Sequence, residues 1–169
     1  MSATDKMLVI GYDGSPGADR AVGAAALLFP SASAVIVTVD EPLLETVAGA
    51  ELAASGAWMN PALADRGALT AASHTAAAGV ARADASGLHA TARPAVSAPV
   101  WAEISRVASE VNANAIVVGS RGHGALVGGL LGSVSEALAR HAGRPVLVVP
   151  RAQGEPDSNS AQPGIAHAP

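Results

Sequence analysis

The sequence predicts an α/β fold in which a parallel sheet is faced by close-packed helices. Short apolar runs alternate along the chain with longer helical segments, in the order β-α-β-α-β-α-β-α-β, which is typical of parallel sheets with right-handed crossovers. Half of the 169 residues are apolar but only 2% are aromatic, so the core must be built from Ala, Val, Leu and Ile. The most distinctive loops follow Ile10, Val39 and Val118, at the carboxyl ends of strands, where ligands bind to such sheets.

Five short apolar runs bounded by polar or turn-forming residues are predicted to be the strands: Met7–Gly11, Ala34–Val39, Leu88–Val96, Ala115–Val118 and Pro145–Val149. The first run ends at a Tyr-Asp-Gly-Ser turn sequence, and the second is strongly β-branched. The third is less apolar than the others, which favours a place near a sheet edge. The fifth is very apolar and is predicted to form an edge that invites pairing.

Four segments between these strands are predicted to be helices: Ala18–Phe29, Pro61–Ser86, Pro99–Val111 and Ser133–His141. Ser15 followed by Pro16 is a helix-start signal before the first of them, and Pro30 ends it. The second is rich in alanine and follows an irregular stretch over residues 41–60. In the third, apolar residues recur at helical spacing and form one face: Val100, Ile104, Val107 and Val111.

The chain is predicted to divide into one domain and a tail. Residues 1–150 contain all the predicted strands and helices. Residues 151–169, RAQGEPDSNSAQPGIAHAP, are polar and contain little to bury. We expect this tail to be disordered.

Composition excludes several classes of function. A net charge of −4 without adjacent basic residues argues against a nucleic-acid partner. The absence of cysteine excludes disulfides, thiolate metal sites and cysteine nucleophiles. No apolar run approaches the ~18–20 residues needed to span a membrane, and the N-terminus does not have the form of a signal peptide. We therefore expect a cytoplasmic protein without a membrane partner.

The glycine-rich stretch 117–133, VVGSRGHGALVGGLLGS, is the strongest functional signal. Gly119, Gly122, Gly132 and Ser133 form the spacing G-x2-G-x9-G-S between the fourth strand and the fourth helix. This is neither a Walker A loop, because no lysine precedes a Ser or Thr, nor a dinucleotide fingerprint, which follows the first strand. Glycine turns that expose backbone N–H groups, together with a helix N-terminus, would form a cradle for phosphate.

Two alternatives to ligand binding stay open at this point. The Ser133 hydroxyl, with the N–H groups of Val134 and Ser135, could donate to phosphate oxygens. Equally, Ser133 and Glu136 form an S-x-x-E capping box, worth ~1 kcal/mol of helix stability without any ligand. Asp13 has the same ambiguity, because a short acid before a helix often caps backbone N–H groups. The whole loop could likewise be a flexible connector.

The stretch from Asn114 to Pro150 resembles the C-terminal signature of the universal stress protein family, and LVIGYDGS at 8–15 resembles its first strand and loop. In that family G-x2-G-x9-G-[ST] marks the members that bind ATP, and the motif is complete here. The resemblance covers about Lys6 to Pro150, with the middle only loosely comparable. It implies a universal stress protein domain over residues 1–150 with the adenine nucleotide alpha hydrolase-like fold. This is a doubly wound sheet of order 3-2-1-4-5 with helices on both faces.

The resemblance also implies ligands and partners. It implies a homodimer that pairs through the edge strand Val146–Val149, and an ATP site, with Mg²⁺, across the first and fourth strand ends. Asp13 would approach the sugar or phosphates, and Val39 would contact adenine through its side chain and backbone. The residues implied to line the site are Gly11, Tyr12, Asp13, Val39, Gly119, Ser120, Arg121, Gly122, Gly132, Ser133, Val134 and Ser135. Arg121, with His123, has a secondary role in neutralising phosphate charge.

Three features depart from the family pattern. Tyr12 is bulky for its place and could either stack on a ligand or obstruct it. Thr38 stands where a histidine is common. Trp58 is a candidate lid over the nucleotide, although core or dimer packing explains it more simply.

Three functions are compatible with these residues. The first is a nucleotide-dependent regulatory or stress-response protein whose partners recognise its ATP-bound state. The second is an ATPase or phosphotransferase, for which the lack of a P-loop lysine and of a clear general base allows slow hydrolysis but argues against efficient turnover. The third is a nucleotide-free dimeric scaffold.

Overall fold

The computed structural model describes residues 6–42, 51, 54–55, 61–122 and 131–151. Its strands and helices in chain order are β1 (Met7–Gly11), α1 (Pro16–Leu28), β2 (Ser33–Asp40), α2 (Pro61–Ala85), β3 (His89–Val96), α3 (Val100–Glu110), β4 (Ala115–Gly119), α4 (Ser133–His141) and β5 (Val146–Val149). The predicted alternation is confirmed, with each boundary within two residues of its expected place. Trp58, His123 and the expected disordered tail lie outside the described residues, apart from Arg151.

The five strands form one parallel sheet of order β3-β2-β1-β4-β5, which confirms the predicted order. The chain moves outward from β1 to β2 and β3, then returns to the other side of β1 for β4 and β5. The direction of winding therefore switches between β1 and β4. In doubly wound folds a crevice opens at this point, outside the carboxyl ends of the strands.

Helices cover both faces of the sheet, and two separate cores result. Side chains alternate between the faces of a strand, so Leu8 and Ile10 pack on the α1 and α2 side whereas Val9 packs against α3 and α4. All three side chains are fully buried. The near-absence of aromatic side chains is compensated by close approach of alanine-rich helices, as the composition predicted.

The start of α1 crosses the end of β4 at backbone contact distance. A Cβ atom added at Gly119 would lie 2.7 Å from the carbonyl carbon of Gly17, and one added at Gly17 would overlap the carbonyl oxygen of Arg121. Both positions therefore require glycine for the two chain segments to pass each other. This contact brings the first turn of α1 to the edge of the switch point between β1 and β4.

Among the described helices, none combines the length and the apolar character required to cross a bilayer.

Candidate functional site

A cavity of about 400 Å³ opens at the carboxyl ends of β1, β2 and β4, at the switch point. Eleven of the twelve residues implied by the resemblance line it, all except Ser120. Ser120 is buried behind the crevice, where its N–H donates to the Val149 carbonyl (2.8 Å) and its own carbonyl accepts from the Gly132 N–H (2.7 Å). Ser120 therefore supports the wall of the crevice from behind.

One wall of the crevice is apolar, and sequence reasoning anticipated only Val39 of it. It consists of side chains that also belong to, or pack against, the core on the α3 and α4 side: Val37, Val39, Val100, Ile104 and Val118. Val100 and Ile104 were predicted as part of one helical face, but nothing local in the sequence shows that this face reaches the strand ends. The remaining lining residues that were missed include Thr38, Asp40 and Thr75.

Asp13 faces both the chain and the crevice. Its Oδ1 accepts a hydrogen bond from the Ser15 N–H (3.0 Å), so the capping interpretation is confirmed for that oxygen. Ser15 Oγ in turn accepts from the Ala18 N–H (3.1 Å) and is the predicted N-cap of α1. Oδ2 of Asp13 lies against Gly122, so closely that a Cβ atom added there would overlap it. The carboxylate thus connects the β1–α1 turn to the glycine-rich loop.

The start of α4 lines the crevice, and its N-cap residue provides no capping side chain. That residue is Gly132, which has no side chain with which to bond the first N–H groups of the helix. The first intrahelical bond runs from the Glu136 N–H to the Gly132 carbonyl (2.9 Å), so the N–H groups of Ser133, Val134 and Ser135 lie before the helical ladder. These N–H groups and the positive end of the helix dipole can attract an anion.

The predicted capping box is wrong. Ser133 is the first helical residue rather than the N-cap, and Glu136 pairs with Arg140 (2.8 Å) one turn along α4. The serine hydroxyl that stabilises this helix start is that of Ser135, which lies 2.9 Å from the Gly132 carbonyl oxygen and 3.1 Å from that of Ser120. Glycine is accepted at the N-cap because it readily adopts the extended backbone of that position, although it offers no side-chain oxygen to the helix.

Tyr12 lines the crevice, while the two helices on one face of the sheet hold its hydroxyl. Its ring is buried on the α1 and α2 side, where a Cβ atom at Gly79 would come within 2.8 Å of it. The hydroxyl donates to Asp19 Oδ1 (2.8 Å), and Arg82 Nε forms an ion pair with the same oxygen (2.9 Å). Tyr12 therefore anchors the turn after β1 to both helices of that face.

Burial and the hydrogen bond to Asp19 raise the pKa of Tyr12 from 10.0 to about 12. Because the folded pKa is higher than the unfolded pKa, the neutral phenol stabilises the fold fully below about pH 10, and this contribution is lost as pH rises to about 12. We expect stability to fall by about 2 kcal/mol over that range from this group. Tyr12 is the only tyrosine, so its phenolate absorbance reports the titration directly.

The control for this titration is Tyr12→Phe, which removes the ionisable group and retains the ring. Thermal melts of the variant should lack the tyrosine contribution to the fall in stability between pH 10 and 12. A phenolate midpoint near 10 in the folded wild-type protein would contradict the buried hydrogen bond to Asp19.

Arg121 is a half-buried cation at the crevice, next to Gly122. Asp40 stands at the opposite end, where its carbonyl accepts from the Ser97 N–H (2.9 Å). In the described part of the chain, no three His, Asp or Glu side chains are grouped so as to hold a metal ion.

The model of the Universal stress protein family matches residues 6–150. The chain belongs to the universal stress protein family. Universal stress proteins of Mycobacterium tuberculosis and Mycobacterium bovis are each 52% identical to it over 52 residues, which is 31% of this chain and 15% of theirs. The chain thus aligns with only about 15% of the length of the curated relatives it matches.

Solved structures of the family share the fold over most of the chain. The hypothetical protein MJ0577 is 21% identical, with a TM-score of 0.70 over 88% of this chain and 97% of its own. A universal stress protein solved in complex with cAMP is 28% identical, with a TM-score of 0.57 over 85% and 95%. The universal stress protein of Archaeoglobus fulgidus, solved with dAMP, is 19% identical, with a TM-score of 0.54 over 85% and 96%.

Proposed function

We propose that this universal stress protein binds an adenine nucleotide, ATP with Mg²⁺, in the crevice and acts in the cytoplasm as a nucleotide-dependent regulatory protein. The observation that carries the proposal is the start of α4. Its N-cap residue, Gly132, supplies no capping side chain, and the first residues of the helix line the same crevice as an apolar wall. A phosphate group and a flat apolar base are the two parts of a nucleotide that these two surfaces suit.

The two ends of the crevice suit different parts of an adenine nucleotide. Adenine would lie against the apolar wall, between Val39 of β2 and Val100 of α3. The phosphates would lie at the start of α4, with Arg121 supplying positive charge. Asp13, between them, would accept a hydrogen bond from a ribose hydroxyl. The cAMP and dAMP complexes of related structures support an adenine nucleotide as the ligand class.

Regulation fits the site better than efficient turnover. Lys6, the only lysine of the chain, precedes β1 and so lies at the amino ends of the strands, away from the crevice. Its Nζ atom is 5.4 Å from the centroid of the Phe29 ring. No lysine is therefore placed at the start of α4, where one would neutralise the charge that develops in phosphoryl transfer. We therefore expect at most slow hydrolysis.

We propose a homodimer that pairs through β5. Its four apolar residues are half-buried at a sheet edge and carry no charge. The other edge, β3, is less suited to pairing. It contains Pro94, which has no N–H to donate, and Arg93, which forms an ion pair with Glu110 (3.2 Å). Sedimentation at micromolar concentration should give the mass of two chains, and a single-chain mass would overturn this pairing.

The nucleotide proposal is tested by calorimetric titration of the full chain with ATP and Mg²⁺, AMP and tripolyphosphate. We expect saturable binding of ATP and a rise in melting temperature that increases with ATP concentration, because a ligand that binds only the folded state stabilises it. Unchanged melting at millimolar ATP would overturn the proposal. Multiple-turnover phosphate release in the same samples would favour the ATPase alternative instead.

A further inference from the structure

The hydrogen-bond ladder between β1 and β2 ends at the crevice, one residue before the N–H and carbonyl of Val39. The register of the two strands runs from Met7 opposite Ser33 to Gly11 opposite Val37, and the Tyr12 N–H adds one more bond to the Val37 carbonyl (2.9 Å). The N–H and C=O of one residue point to the same side of a strand, and this side alternates from residue to residue, so those of Val37 and Val39 both point toward β1. The ladder stops before it reaches Val39, which also lines the crevice.

The Thr38 hydroxyl accounts for this ending. In a continued parallel ladder, the next bond would join the Val39 N–H to the Tyr12 carbonyl. That carbonyl instead accepts from Thr38 Oγ1, at 2.7 Å, and Thr38 is only 4% exposed. The side chain of Thr38 therefore takes the place of the backbone donor, and the chain after Tyr12 turns away from β2.

We propose that Thr38 is a positioning residue for base recognition, since its hydroxyl keeps the N–H and carbonyl of Val39 available to the adenine edge. This inference rests on the proposed nucleotide site. An N–H donor beside a carbonyl acceptor matches the ring nitrogen and exocyclic amine of adenine. Thr38 acts through Tyr12 and Val39, and its effect is confined to the base end of the crevice.

Thr38→Val tests the role with little change of shape. Without the hydroxyl, the Tyr12 carbonyl is free to accept a hydrogen bond from the Val39 N–H. That bond would extend the ladder by one step, and the Val39 N–H would no longer be available to adenine. We expect ATP and AMP to bind about tenfold more weakly, in line with the loss of one hydrogen bond between ligand and protein. Tripolyphosphate, which carries no base, should bind with unchanged affinity.

Two further variants control for effects of the substitution itself. Thr38→Ser retains the hydroxyl and should restore ATP affinity to within about threefold of wild type. Thr70→Val removes a comparable hydroxyl bond, from Thr70 Oγ1 to the Arg66 carbonyl (2.9 Å), on the exposed surface of α2 and should leave binding unchanged.

Amide exchange by NMR supplies a readout that needs no ligand. The Val39 amide should exchange more slowly in free Thr38→Val than in free wild type, and AMP should slow it in wild type.

The outcomes separate this role from the proposed function. If wild-type protein binds neither ATP nor AMP, the nucleotide proposal and the role of Thr38 are both overturned. If wild type binds ATP and Thr38→Val binds it equally well, only the role of Thr38 is overturned. Equal weakening of ATP and tripolyphosphate would also overturn it, because that result indicates general damage to the crevice. If Thr38→Val does not fold, the wild-type amide decides: rapid exchange that AMP slows supports the role, and exchange already slow without AMP overturns it.

Discussion

Gly122→Glu is expected to abolish ATP binding while leaving the fold intact. Replacing Gly122 by any other residue adds a Cβ atom that overlaps Oδ2 of Asp13. The added carboxylate then stands beside the place proposed for the phosphates. Two like charges about 4 Å apart repel by about 4 kcal/mol at an effective dielectric constant of 20, which corresponds to roughly a 1,000-fold loss of affinity.

The fold should survive because the atom that must move is the end of a side chain. Asp13 can rotate away from Gly122 at the expense of its bond to the Ser15 N–H, and Gly122 itself is exposed. Calorimetric titration measures the loss of binding, and circular dichroism measures the retained fold. Gly122→Gln separates steric overlap from charge, since it is similar in size and neutral. Gly67→Glu places the same charge on α2 with no atom within 4 Å of the new Cβ and should bind ATP normally. Unchanged affinity in Gly122→Glu would show that phosphate does not lie against this loop.

Gly119→Ala is expected to have the largest effect on stability. Its Cβ would lie 2.7 Å from the carbonyl carbon of Gly17 and 2.8 Å from the carbonyl oxygen. Both atoms are backbone, so relief requires α1 to move away from β4 and loosens the core between them. We expect a loss of about 3 kcal/mol, at the upper end of what overpacking usually costs. Urea denaturation measures it, with a lower midpoint and an unchanged slope.

Gly67→Ala is the matched control for this substitution. It adds the same methyl group within a helix and meets no atom within 4 Å, so it should stabilise the protein by about 1 kcal/mol. The same change thus has opposite signs at two positions. If Gly119→Ala proved as stable as wild type, the close crossing of α1 and β4 would be refuted.

The elements of the fold were predictable because their signals are local. The alternation of apolar runs with alanine-rich segments, the Ser15 cap before Pro16 and the low hydrophobicity of β3 are all properties of neighbouring residues. The crevice was also predictable, since parallel strands carry their loops to one edge. The spacing of its glycines left a phosphate cradle and a simple connector both open, and only the family resemblance favoured the cradle.

The errors arose where a residue has two local options and distant contacts choose between them. Ser133 and Ser135 both suit a helix start, and the carbonyl of Ser120, which lies 3.1 Å from Ser135 Oγ, is a partner that Ser133 lacks. Tyr12 was predicted to line the crevice, and it does, but only the structure shows that Asp19 and Arg82 hold its hydroxyl on the α1 and α2 side. Neither partner is visible in the local pattern.

By itself the sequence determined a five-stranded parallel α/β fold with a crevice at the carboxyl ends of its strands, and it predicted that the glycine-rich loop holds phosphate. Periodicity and turn chemistry act over a few residues and can be read directly along the chain. Only the tertiary structure decided that Gly17 must be small, that Thr38 ends the first ladder and that α3 supplies an apolar wall. Those features depend on atoms that are many residues apart in the chain and meet only when helices and strands pack.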